Sequence, residues 1–195
     1  MTTKKLPKAQ VYKERTIHTY SELWHGSGVL LQRAKGEPKG SYWLWMGSLI
    51  LTAFAFEAYL NHIGPKLFSY WDALETLSPE NKLNVICEKL KIDLPKNNRP
   101  RQTVHGLFRF RNNLAHGKTI TIKERFEIDV NQCTDKFLAN QKATWETYCT
   151  KRNSDRVRED IEKVMRLIHE KANLENDPLY GFGMYSASAK LQQDF

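Results

Sequence analysis

The sequence predicts an all-α protein, a bundle of four to six helices with short connections and an irregular C-terminal tail. Three observations predict it. Apolar residues recur at helical spacing through most of the 195-residue chain. Gly/Pro clusters and Ser/Asp starts punctuate those runs where helices begin and end. Strand-like alternation is weak and confined to one stretch. The length fits one domain with tails: a basic arm over 1–17, a helical domain over 18–175 and a tail over 176–195.

In the first helix, expected over Tyr20–Lys35, Leu23, Leu30, Leu31 and Ala34 fall on one side, and the Gly36–Gly40 cluster ends it. A second helix follows from Ser41 to Ile63, apolar nearly all round, with Gly64-Pro65 as its stop. It is long enough to span a bilayer. It also carries Ser48, Thr52, Glu57 and Asn61, and an unpaired Glu in lipid is costly, so the expectation is a buried core helix and no membrane. After a short element around Phe68–Leu77, Ser78-Pro79-Glu80 makes a helix start with Ser as N-cap, and the helix runs to about Leu90. The exposed basic loop Leu94–Pro100 leads into a helix from Arg101 or Gln102 to His116, with Gly117 placed as its stop. Thr119–Val130 alternates weakly and predicts extended structure or a short hairpin arm. Helices are expected over Asp135–Tyr148 and from Ser154-Asp155 to about Ala172.

Cys87, Cys133 and Cys149 are far apart and show no metal-ligand spacing, which argues against a disulfide framework, a structural zinc or any bound metal. Scattered thiols suit a reducing cytoplasm. The N-terminus has lysines with no apolar run behind them, unlike a signal peptide. A net charge of +8 favours polyanionic partners, nucleic acid among them. Glycine-rich phosphate loops, paired catalytic carboxylates, nucleophile elbows and HExxH are missing, so no cofactor is expected. His18, His25, His62 and His169 are scattered, and each reads as a surface or satisfied histidine. Trp43, Trp45, Trp71 and Trp145 read as core or interface residues, with stacking platforms for bases as the lesser reading. Lys91, Lys96, Arg99, Arg101 and Arg109 form a basic set suited to a nucleic-acid backbone.

The informative segment is Val104–Gly117. On an ideal wheel Val104, Leu107, Phe110 and Leu114 gather on one side. His105, Arg109, Asn112 and His116 form a separate stripe, because their spacing is four, three, four. Arg111 falls in the apolar sector, about 140° from His116. An arginine there needs a partner. Glu57 and Asn61, four apart on one stripe of the second helix, offer one. An Arg111–Glu57 contact is thus a purely structural explanation of that arginine. The chemical explanation is RNA cleavage without metal: the 2′-hydroxyl attacks its own phosphorus while an imidazole moves protons and a guanidinium stabilises the phosphate charge.

The run Arg111-Asn112-Asn113-Leu114-Ala115-His116-Gly117 resembles the signature of HEPN domains, in which an Arg and a polar residue precede a His by a short gap. Phe54–Ile63, an apolar run with an acid and then an Asn, resembles the family's earlier core helix. Ser78–Leu90, with Lys82 near its start, resembles the helix between them. Order and spacing agree over roughly residues 20–172. The resemblance implies a four- to five-helix bundle that dimerises so that two Arg/His ends meet in a shared cleft. It implies a metal-independent endoribonuclease that leaves a cyclic phosphate, as in toxin–antitoxin or phage-defence systems, where an antitoxin or other regulatory protein is a further partner. Carried over, His116 is the acid/base, Arg111 binds phosphate and Asn112 assists. Glu57 and Asn61 support or line the site, and Arg109 and His105 extend the binding face. The family also includes inactive modules that bind RNA or a partner protein, which is the alternative.

Overall fold

The computed structural model describes residues 9–37, 39–125, 127, 129, 141–175, 177–181 and 183–191. Helix accounts for 61% of the chain, which bears out the mainly helical class. In chain order the elements are β1 (Ala9–Arg15), α1 (Thr19–Gly36), α2 (Ser41–Leu67), α3 (Trp71–Leu74), α4 (Pro79–Leu90), α5 (Arg101–Ala115), α6 (Thr144–Tyr148), α7 (Lys151–Lys171) and β2 (Tyr185–Leu191).

The nearly all-apolar α2 becomes the central helix because only a helix covered on several sides can bury such a sequence. It packs against α1, α3, α4, α5 and α7. Phe56, Tyr59, Leu60 and Ile63 of α2 are fully buried with Leu83 and Ile86 of α4, Leu107 of α5 and Ile161, Met165 and Ile168 of α7. Its length and apolarity match a membrane span, and 44% of its most apolar stretch is buried in the bundle. The buried hydroxyls of Ser48, Thr52 and Tyr59 are satisfied, while that of Tyr42 is buried with no partner among the described residues. Ser27 Oγ of α1 lies 2.5 Å from Thr52 Oγ1, and Ser48 donates to the Ser27 carbonyl at 2.9 Å. Arg158 of α7 donates to Ser27 Oγ at 2.9 Å while its guanidinium covers the Trp24 ring at 3.8 Å. Small polar residues at this seam let α1 and α2 approach closely without leaving polar groups unmade.

Several expectations are corrected. Gly64-Pro65 does not stop α2, which runs on to Leu67. A proline in the last turn forfeits only one hydrogen bond, and Phe68 N–H closes the turn on the Gly64 carbonyl at 2.9 Å. Gly64 serves a different purpose: a Cβ there would stand 2.1 Å from the Trp71 indole. Gly117 is not a left-handed stop for α5 either; among the described glycines only Gly40 has a positive φ. The last helix begins at Lys151, one turn before Ser154-Asp155, because Thr150 caps it by accepting from Asn153 N–H at 3.2 Å. The helix expected over Asp135–Tyr148 is real only as α6. Gln141–Ala143 are not helical, and 135–140 lie outside the described residues. Thr119–Arg125 form no strand, and positions 126, 128 and 130 lie outside the described residues.

The largest correction concerns the two ends. The arm expected to be loose and the tail expected to be irregular pair as an antiparallel two-stranded ribbon, Ala9 opposite Leu191 and Arg15 opposite Tyr185. Thr16 N–H extends the pairing to the Met184 carbonyl at 2.9 Å. β1 is exposed along its whole length, so neither strand needs the apolar alternation that announces a half-buried strand. Gly183 permits the crossing: a Cβ there would lie 1.6 Å from the Thr16 carbonyl oxygen.

Candidate functional site along α5

α5 carries the four-residue stripe where the wheel places it. His105, Arg109, Asn112 and His116 are all exposed, while Val104, Leu107, Phe108 and Phe110 are buried. His116 is the C-cap, and its N–H bonds the Asn112 carbonyl at 2.9 Å. Its imidazole has no side-chain partner among the described residues. It lines a cavity of about 360 Å³ with Asn112, Asn113, Lys118 and Trp145.

Arg111 points the other way, also as the wheel requires. Its guanidinium lies between the rings of Phe54 and Phe108, 5.7 and 5.8 Å from their centres. One Nη pairs with the Glu57 carboxylate, and the other donates to Asn112 Oδ1 at 2.9 Å. Nε is buried with no partner. Two of the five N–H groups of the guanidinium are therefore used and three remain. Asn112 touches both halves of the motif. Its side chain holds Arg111, and its carbonyl holds His116.

The remaining expected residues divide. Glu57 meets Arg111. Asn61 does not: its Oδ1 accepts from Lys82 Nζ at 2.9 Å, and Lys82 is only 3% exposed. Lys82 is thus a buried cation whose one hydrogen-bond partner among the described residues is an amide. His105 is engaged by Glu80 of α4, Nδ1 to the carboxylate at 3.1 Å, so it does not stand free beside His116. Arg109 lines a cavity of about 260 Å³ with His105, Asn113, Trp145 and Tyr148. A third cavity of about 410 Å³ continues past His105 to Lys96 and Arg101. Adjacent cavities share residues, so together they trace a groove along α5 from its first turn to His116.

The basic set is partly committed to structure. Arg99 forks onto Asp160 at 2.8 and 2.7 Å, and buried Arg101 bonds Asn84. Lys96 and Arg109 remain along the groove. Trp145, expected in a core or interface, forms the far wall of two of the three cavities. Its position depends on the docking of α6 against α5, a meeting of distant residues marked by the stacking of Phe110 on Tyr148, centroids 5.1 Å apart. Burial pushes the thiols of Cys87 and Cys149 up to about 11, which keeps both protonated and unreactive near neutrality. Cys133 lies outside the described residues. Among the described residues no group of three or more His, Cys, Asp or Glu is placed to hold a metal ion.

Compared with protein-family models, curated proteins and solved structures, the chain shows no match.

Proposed function

We propose that this protein is a HEPN-like, metal-independent endoribonuclease that acts as a homodimer in the cytoplasm. The observation that carries the reading is Asn112, which ties a guanidinium with unused donors to an exposed imidazole across one helix end. In this reading His116 takes the proton from the 2′-hydroxyl or delivers one to the departing 5′-oxygen. Arg111 receives the phosphate oxygens with the N–H groups that Glu57 and Asn112 leave free. Bond formation from O2′ to phosphorus and cleavage of the P–O5′ bond leave a 2′,3′-cyclic phosphate. The α5 groove supports single-stranded RNA as substrate: Lys96 and Arg109 lie along it for phosphates, and Trp145 offers a face on which a base can stack.

Within one chain the two motif residues face different sides of α5, so the cleft needs a second copy. Trp43 and Phe54 of α2 are 64% and 42% exposed, and Phe54 lies against Arg111. They supply an apolar surface on which a second chain would bring its own His116 towards this Arg111. Purified protein incubated with total RNA in EDTA should yield fragments ending in cyclic phosphate, and His116→Ala and Arg111→Ala should abolish them. Cleavage that persists in both variants, or that needs an added divalent metal, overturns the reading. Toxicity on expression in bacteria, relieved by His116→Ala, would place the activity in a toxin–antitoxin or phage-defence setting.

The Arg111–Glu57 pair favours a second reading, a silent module that binds RNA or a partner protein and uses Arg111 only for stability. It predicts RNA binding that survives His116→Ala and no cyclic-phosphate product.

A further inference from the structure

Three histidines that lie far apart in sequence converge at one place outside the α5 groove. His18 precedes α1, His62 and Lys66 stand on successive turns of α2, and His169 is in the last turn of α7. Glu175, Asp177, Tyr180 and Gly181, which precede β2, line the same place. Together they enclose a cavity of about 480 Å³. The rings of His18 and His62 stand edge-on with centroids 5.2 Å apart, and Tyr20 lies 4.8 Å from His62. His169 Nε2 is 3.2 Å from the Glu175 carbonyl oxygen. A carbonyl only accepts, so Nε2 carries the hydrogen. Nδ1 of the same ring is buried and has no partner.

The charge balance of the walls is uneven. Asp177 is already compensated: it accepts from Arg166 at 3.2 Å and from the Leu179 N–H at 2.8 Å. Burial alone would raise its carboxyl, but those bonds outweigh it and hold it below the usual range. Glu175 is exposed, with a carboxylate unpartnered among the described residues. Against these stand the Lys66 ammonium and three imidazoles. Burial first, then the positive groups Lys66, His18 and His169, pushes His62 down to about 4. An anion seated among these nitrogen donors would offset the positive crowding that acts on His62.

We propose that this cavity binds a small tetrahedral oxyanion, with Lys66 supplying fixed charge, His18 and His62 supplying N–H donors, and His169, held through Nε2 by the Glu175 carbonyl, forming part of the wall. The anion is either free inorganic phosphate or the phosphate group of a small monoester. Binding would favour the protonated form of His62 and so draw its titration upward from about 4.

The test uses the full chain with inorganic phosphate in one arm and glycerol phosphate in the other, against chloride at matched ionic strength. Both melting temperature and the ring-proton NMR shifts of the histidines are read. Phosphate should raise the melting temperature, and the His62 titration should move up from about 4 towards the ordinary histidine range. Lys66→Ala, at an exposed position, should weaken binding roughly tenfold or more. Arg111→Ala should leave the phosphate response of the His62 ring protons unchanged, which separates this cavity from the α5 site. Tighter binding of glycerol phosphate identifies a monoester, and equal binding identifies phosphate itself. Phosphate that does no better than chloride, a response undiminished in Lys66→Ala, or an unmoved His62 overturns the proposal.

Discussion

An arginine–carboxylate contact lies at each end of α5, and the two are built differently. At the N-terminal end Asp160 is 1% exposed and receives both forks of Arg99 and the Thr103 hydroxyl at 2.6 Å. Three of the carboxylate's roughly four acceptor sites are filled there, away from solvent. At the C-terminal end Arg111 is shared between Glu57 and Asn112, keeps three N–H groups unused and leaves Nε buried without a partner. An unmade bond on a buried charge is costly for a purely structural pair. The difference teaches that one contact closes on itself and seats the helix, whereas the other leaves donors of its arginine unused.

The largest effect that could break this comparison is on activity. His116→Ala should lower RNA cleavage by roughly 10²–10⁴-fold while the melting temperature stays put, since His116 is exposed and unbonded through its side chain. A variant that melts lower instead would make the C-terminal end structural too. Next, Asp160→Ala should cost about 3 kcal/mol of stability, measured by urea unfolding, because it strands the Thr103 hydroxyl and half-exposed Arg99 together. Burial raises the Asp160 carboxyl, but the Arg99 and Thr103 hydrogen bonds prevail and hold it below its ordinary value of 3.8. Its contribution is therefore fully present above that ordinary value and disappears as pH falls through the lower folded one. Acid unfolding of Asp160→Ala should accordingly lose that part of its pH dependence.

Trp145→Ala should weaken single-stranded RNA binding by about 1–3 kcal/mol, read by fluorescence anisotropy, if bases stack in the groove. Unchanged affinity would remove the groove as the substrate path. The smallest effect sharpens the comparison most directly. A double-mutant cycle of Arg111→Ala and Glu57→Ala should show a stability coupling of about 1 kcal/mol, below that of Arg99 with Asp160. A larger coupling favours the silent module.

Much of the helical frame was legible. The breaks at Gly36–Gly40 and Ser78-Pro79 lie where helices end and begin, because caps and chain reversals depend on local backbone chemistry. The exposed stripe on α5 and the Arg111–Glu57 contact were legible for a related reason: helical periodicity sets which residues face the core, and a buried charge in an otherwise apolar helix leaves few partners. Pro65 and Thr150 were misread because proline in a last turn and a threonine cap one turn early cost little when tertiary packing favours the longer helix. Asn61 was placed with the α5 site, and only the fold revealed buried Lys82 as its partner.

By itself, then, the sequence determined the long helices in outline, the central place of α2 and the opposed faces of Arg111 and His116, since each follows from a repeat over a few neighbouring residues. Tertiary structure alone decided the rest. It brought Trp145 against α5, paired β1 with β2, closed Asp160 onto Arg99 and gathered His18, His62 and His169 around one cavity. These are meetings of distant segments, fixed by how helices pack and where the chain crosses, and no local pattern records them.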